Sequence, residues 1–145
     1  MIVRAYRLYH NGCVVVVQEP EVMRIICVED DAGLRSVMVE TLHYLDPDAQ
    51  IDIFSNSDDV LPALREQDMY LCLMDVRIPG AMNGFALAQY VRDLGYDGVI
   101  ALMSAYPRPQ GDMLRHLRCE WLSKPIDVDT LDALVQKARS TRAFR

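Results

Sequence analysis

The chain has 145 residues, 51% of them apolar and 25% charged, the size and composition of one soluble globular domain that buries roughly two thirds of its unfolded surface. A formal net charge of −6 argues against nucleic acid as its main partner. No apolar run reaches the roughly 18 residues of a membrane span, and Val14 to Val17 is too short and wrongly flanked for a signal-peptide core.

Residues 1–22 stand apart from the rest of the chain. Asn11-Gly12 is a type I′ turn signal between Tyr6–Tyr9 and Cys13–Val17, which predicts a β-hairpin tied on by Gln18 to Glu21. An isolated hairpin is marginal in water and needs a sheet edge or a partner. The rival explanation is that Met23 is the natural start and the leading residues are upstream sequence. Both remain open.

From Met23 onward strand and helix signals alternate, the pattern of a parallel sheet covered on both faces. Strands are expected at Arg24–Val28, Gln50–Phe54, Tyr70–Met74, Val99–Met103 and Glu120–Leu122. The first helix carries Leu34, Val37, Met38, Thr41, Leu42 and Leu45 at the spacing of a buried stripe. The second runs from about Asp58 to Gln67, with Ser55 or Ser57 as cap and Pro62 near its first turn. The third opens at Asn83-Gly84 and stops at Gly95. The fourth is weak: Tyr106-Pro-Arg-Pro-Gln-Gly111 disfavours a helix directly after the strand, so only Met113 to Arg118 look helical. The fifth follows Asp127 as cap and turns Val128, Leu131, Leu134 and Val135 inward. Its basic tail, Lys137, Arg139, Arg142 and Arg145, reads as solvated surface that complements the helix dipole.

Of the four cysteines, Cys13, Cys27, Cys72 and Cys119, two lie inside strand-like apolar runs, and none has a zinc-ligand spacing. They read as reduced, structural thiols of a cytoplasmic protein.

The chemistry gathers at strand ends, where open α/β sheets place their sites. Ile25-Ile-Cys-Val28 runs into Glu29 and Asp30, Tyr70-Leu-Cys-Leu-Met74 into Asp75, and Trp121-Leu122 into Ser123-Lys124-Pro125. Each alone has an ordinary explanation as a cap or first-turn decoration. Together, each on its own strand, they form a specific set. An acidic pair and a lone aspartate suit Mg2+, which takes oxygen ligands and keeps several waters. Asp75 then suits nucleophilic attack on phosphorus to give an acyl phosphate. Lys124 and Ser104 supply donors on the other side, and Lys124-Pro125 is a candidate cis peptide.

Four stretches carry a family resemblance: Ile25-Ile-Cys-Val-Glu-Asp-Asp31, Leu73-Met-Asp-Val-Arg-Ile-Pro-Gly-Ala-Met-Asn-Gly84, Ala101-Leu-Met-Ser-Ala105 and Trp121-Leu-Ser-Lys-Pro125. The segment from Met23 to about Arg142 resembles a response-regulator receiver domain of two-component signalling, of the single-domain type, because the chain ends with its last helix. The resemblance implies a flavodoxin-like (βα)5 doubly wound parallel sheet, order 2-1-3-4-5, over residues 23–145, behind the extension. It also implies Asp75 as phosphoacceptor, Glu29, Asp30, Asp75 and the Arg77 backbone carbonyl as Mg2+ ligands, and Lys124 and Ser104 as phosphate-sensing groups. Trp121 takes the switch position where receivers usually carry Tyr or Phe, and the proline-rich stretch reshapes the fourth helix. The expected partners are a histidine kinase or phosphotransfer protein and an unidentified downstream protein. Neither nucleic acid nor membrane is expected, and pairing through the fourth and fifth helices keeps a dimer open.

Two other functions stay in view. One is a receiver-like docking module that needs no phosphate. The other is an Asp-nucleophile phosphohydrolase of the haloacid dehalogenase type, disfavoured because Arg77 occupies the position of its second aspartate and no cap domain is present.

Overall fold

The computed structural model describes residues 3–143; Arg145 and the side chain of Arg142 in the predicted basic tail, and residues 1 and 2 of the extension, lie outside the described part. Strands β1 (Val3–His10) and β2 (Cys13–Pro20) form a two-stranded antiparallel sheet of their own. The turn at Asn11-Gly12 is formed, with both residues at positive φ, as a type I′ turn demands. Both strands are longer than expected: Val3 to Ala5 and Gln18 to Pro20 extend the same ladder, although Arg4, Ala5 and Gln18 to Pro20 lack strong strand propensity.

The remaining strands are β3 (Arg24–Val28), β4 (Gln50–Phe54), β5 (Leu71–Asp75), β6 (Val99–Ser104) and β7 (Cys119–Ser123). They form one parallel sheet in the order β4-β3-β5-β6-β7, which is the expected 2-1-3-4-5 arrangement. All five residues of β5 are buried. A strand covered on both faces cannot alternate apolar with polar, which is why it reads as a continuous apolar run.

Alternate residues along each strand feed two separate cores. Ile25, Cys27, Leu71, Leu73, Ala101 and Met103 pack with α1 (Ala32–Leu45) and α5 (Val128–Ala143). Ile26, Val28, Cys72, Met74, Ile100 and Leu102 pack with α2 (Ser57–Glu66), α3 (Gly84–Asp93) and α4 (Met113–Leu117). The period of two in a strand therefore assigns every buried side chain to one layer or the other. At the amino end of the sheet, Arg24 is ion-paired with Asp52 (2.8 Å), Glu66 (2.6 Å) and Asp68.

Several local expectations are corrected. The second helix is capped by Asn56, whose side chain accepts the Asp59 N–H at 2.8 Å. Neither Ser55 nor Ser57 caps it: Ser57 is fully buried, and its hydroxyl accepts the Met82 N–H at 3.1 Å, tying α2 to the loop before α3. Pro62 falls inside the helix as its sixth residue, one position further in than a start at Asp58 would place it. Along α1 only Leu42 is fully buried, while Leu34 and Val37 are 43% and 59% exposed. The stripe continues past the end of the sheet, so its first turn has no strand beneath it. There, with Met38, Ile126 and Leu131, it lines an apolar groove of about 390 Å³. Val128 is likewise exposed at the start of α5, whereas Leu131, Leu134 and Val135 are buried as expected.

In the basic tail Lys137 is exposed as expected while paired with Glu120, and the half-buried Arg139 pairs with Asp46 at 2.6 Å, which ties α5 to β7 and to the end of α1. Helix α4 is short and late-starting, as the prolines and Gly111 predict. Asp127 accepts the Thr130 N–H at 2.7 Å and caps α5 as expected. All four cysteines are free.

Candidate functional site

The parallel sheet delivers the predicted acids, serine and lysine to its carboxyl rim. Glu29 and Asp30 follow the last residue of β3, Asp75 ends β5, Ser104 ends β6 and Lys124 follows β7. The register continues past the strands: Ser104 is opposite Ser123, the Lys124 N–H donates to the Ser104 carbonyl at 2.8 Å, and the Val76 N–H donates to the Met103 carbonyl at 3.0 Å. The Lys124-Pro125 peptide is cis, as expected.

Oxygen atoms of Glu29, Asp30 and Asp75 lie within 4.8 Å of one another. Glu29 is 3% exposed and Asp75 6%, whereas Asp30 faces solvent. The Lys124 Nζ is 2.8 Å from Glu29 Oε2 and is also ion-paired with Asp75 Oδ2. The other Asp75 oxygen, Oδ1, accepts the Arg77 N–H at 2.9 Å. Asp31, the third acid of the run, takes no part in the cluster. Its side chain accepts the Leu34 N–H at 2.9 Å and caps α1.

The electrostatics arise from this crowding. Burial pushes the Glu29 carboxyl above the ordinary carboxylate range, Lys124 opposes the shift, and the adjacent Asp75 adds to it. For Lys124, burial works to lower the pKa, but the pairs with Asp75 and Glu29 outweigh it and hold the ammonium firmly charged. Three carboxylates facing one ammonium leave the crevice short of positive charge, with hard oxygen donors close enough to share one small divalent cation.

Glycine at position 84 is required by the packing around Asp75. A Cβ there would stand 2.4 Å from the Asp75 carbonyl oxygen and 2.8 Å from the Val76 Cα. Its N–H donates to the Val76 carbonyl at 2.9 Å, so α3 begins directly against the strand end that carries the aspartate. Asn83 caps that helix by accepting the Ala86 N–H.

The structure separates Ser104 and Trp121 in character. Ser104 is 4% exposed, and its Oγ accepts the Tyr106 N–H at 3.0 Å. Trp121 stacks on Phe85 of α3 with ring centroids 6.3 Å apart and planes 19° from parallel. Its indole Nε1 is buried with no hydrogen-bond partner among the described residues, the expected cost of an indole where a phenyl or phenol ring is usual.

Sequence reasoning passes over Arg35 and Tyr106 as part of the site. Arg35 donates to the carbonyls of Glu29 (3.0 Å) and Asp30 (2.8 Å), fixing the backbone of the acidic pair. An arginine one turn into the helix after an acidic strand end is the available signal. Tyr106 sits with its ring under the Arg77 guanidinium, 4.6 Å from centroid to carbon. Its place in a proline-rich stretch hides it.

Comparison with known proteins agrees with this geometry. The family model for the response regulator receiver domain matches residues 25–136. The two-component response regulator ARR14 of Arabidopsis thaliana is 36% identical over 123 residues, covering 82% of this chain but 31% of that protein. The chain therefore spans about a third of the length of that relative. Among solved structures, the CheY-like response regulator receiver domain from Methylobacillus flagellatus superposes with a TM-score of 0.71 at 23% identity, over 81% of this chain and 99% of that one. The receiver domain of sensor histidine kinase PA1611 from Pseudomonas aeruginosa, which has a magnesium ion coordinated in its active-site cleft, superposes at 0.67 with 22% identity, over 82% and 99% of the two chains. With the sheet order, the strand-end cluster and the matched family in agreement, this chain belongs to the response regulator receiver domain family of two-component signalling.

Proposed function

We propose that residues 23–145 work as a phosphorylation-controlled switch in a two-component phosphorelay, with Asp75 as phosphoacceptor and residues 1–22 as an extension to it. The observation that carries this reading is the meeting of Glu29, Asp30 and Asp75 within 4.8 Å, with the Lys124 ammonium placed on two of the three.

Glu29, Asp30, Asp75 and the Arg77 backbone carbonyl would hold Mg2+. When bound, the metal offsets charge that gathers on the phosphoryl oxygens during transfer. The chain's own residues do the rest. An Asp75 carboxylate oxygen forms a bond to phosphorus as the P–N bond of a partner's phosphohistidine breaks, and the imidazole leaves with the bonding pair. Lys124 orients the carboxylate beforehand and pairs with a phosphoryl oxygen afterwards. Ser104 is poised one strand over, and its hydroxyl turns from the Tyr106 N–H to donate to the phosphoryl group. Phosphorylation adds nearly two negative charges, and the switch responds by shifting a two-state equilibrium in which Ser104 and Trp121 take part. The phosphodonor is a histidine kinase or phosphotransfer protein in the cytoplasm, and output passes to a protein partner.

The test is intact-mass analysis after incubation with acetyl phosphate, with and without Mg2+, beside Asp75→Asn. A Mg2+-dependent gain of one phosphoryl group, absent from the variant, is the expected result. No gain under either condition would sink the reading and leave a docking module that works without phosphate.

A further inference from the structure

The sheet of β1 and β2 stands as two strands alone, outside the five-stranded sheet. Two strands by themselves are marginal in water, and three or more with apolar cover are needed to hold. Every residue from Arg7 to Val16 is exposed. Leu8 and Val15 lie on one face, 54% and 48% exposed, and Tyr9, Val14 and Val16 lie on the other, 76%, 53% and 56% exposed. Neither face is covered, and neither is polar.

The two edges of this sheet differ. β1 carries Arg7 and His10, and a cation on an edge strand discourages a further strand from adding. From Cys13 to Val16 the chain of β2 is uncharged, with three β-branched valines in a row, a strong strand template. In a hairpin closed by a two-residue type I′ turn, the flanking pair exchanges both of its backbone hydrogen bonds and the pairs then alternate. Counting from the flanking pair His10 and Cys13, the N–H and carbonyl of Val15 face β1, whereas those of Val14 and Val16 face outward. The outer edge of β2 thus offers backbone donors and acceptors flanked by apolar side chains.

We infer that a second copy of this chain takes that edge: the two β2 strands pair antiparallel about a two-fold axis and give one four-stranded sheet in the order β1-β2-β2-β1. A valine run is complementary to itself, because a register centred in it sets valine against valine. The order also leaves both β1 strands outermost, about 14 Å or three strand spacings apart, so the Arg7 charges of the two copies stand beyond the screening length of physiological salt. The exposed side chains and the edge between them offer on the order of 500 Å2 per copy, at most about 1,000 Å2 for the pair, the low end of specific interfaces. The dimer is accordingly weak, with half-association at about tens of micromolar. It uses nothing at the carboxyl rim of the receiver sheet, so it joins two receiver domains whether or not Asp75 carries phosphate.

Sedimentation equilibrium of the full chain, without phosphodonor or Mg2+, from low micromolar to about 500 µM tests this. The mass is expected to rise with concentration from that of one chain to that of two. Val16→Pro removes an outward donor and leaves the ladder with β1 whole, and Val14→Lys sets a charge beside the edge without touching the backbone; each should weaken association about ten-fold or more. Val16→Thr keeps both the branched side chain and the N–H, and associates within about two-fold of the parent. A parent that stays monomeric over the whole range overturns the inference. So does a dimer that the Pro and Lys variants leave unchanged, which would put the contact on the receiver domain, and so does a Thr variant as weak as the Pro variant. Growth beyond two chains also overturns it, because the β1 edge would then be joining as well. Phosphoryl uptake on Asp75 is read by a separate measurement, and none of these outcomes bears on it.

Discussion

Cys27 and Cys72 lie within the neighbouring interior strands β3 and β5, one facing each core. Burial pushes both thiols up to about 12 from an ordinary value of 9.0. A raised folded pKa means that the fold favours the protonated thiol. That contribution is fully present below pH 9 and is lost as pH rises towards 12. Urea unfolding between pH 9 and 12 is therefore expected to show stability that falls steadily as the pH rises. At pH 8, alkylation of the folded protein labels the exposed Cys13 and spares Cys27 and Cys72; labelling of these two at the rate of Cys13 would refute the packing assigned to them. At this scale the sequence is informative wherever chemistry ends a strand. Glu29, Asp30, Asp75 and Lys124 are legible because a strand places its next residue at a fixed height on the rim. The grip of Arg35 on the acidic pair and the Arg77–Tyr106 contact are not, because they depend on loop conformations that no periodicity encodes.

At the level of elements, α3 and β5 are joined through a single missing side chain. Gly84→Ala would drive a methyl group into the Asp75 carbonyl, so α3 must retreat from the strand end. Overpacking of this kind costs about 1–3 kcal/mol. The damage should also reach function, since the strand end that carries Asp75 shifts with the helix. The expected outcome is a lowered urea midpoint together with slowed phosphoryl uptake from acetyl phosphate; normal uptake in a destabilised variant would show that helix and aspartate are not coupled. Helix positions are legible from period and caps, and so is the late start of α4. The burial of α1 is misjudged for a different reason. Leu34 keeps the helical period of Leu42 yet is exposed beside the groove, and Val37, five residues before Leu42, falls well to the side of that face; periodicity tells which side a residue faces without telling whether anything is there. The cap of α2 is misjudged because three candidates, Ser55, Asn56 and Ser57, stand side by side, and one residue of phase decides among them.

For the molecule as a whole, an acidic chain gathers three carboxylates around one ammonium at one rim. Mg2+ that binds the folded cluster and not the unfolded chain should stabilise the fold by mass action. At ten times its dissociation constant the gain is about 1.4 kcal/mol, or roughly 3–5 °C in thermal midpoint for a domain of this size. Asp30→Asn and Asp75→Asn should lose most of that shift, and an equal shift in both variants would place the metal elsewhere. The opposite end of the sheet makes an instructive control. Arg24 meets three acids there, whereas Lys124 meets two of the three acids gathered at the rim. The arithmetic of charge is the same at both poles, yet among the described residues only the rim brings three acids to a common point. A guanidinium spreads its donors over a plane and reaches Asp52, Glu66 and Asp68 separately, acting as a counterion built into the chain. An ammonium is a point: it occupies one side of its carboxylates and leaves the other side for a second, exchangeable cation. One pole of the sheet thereby keeps its whole counter-charge within the chain, and the other takes part of its counter-charge only on loan.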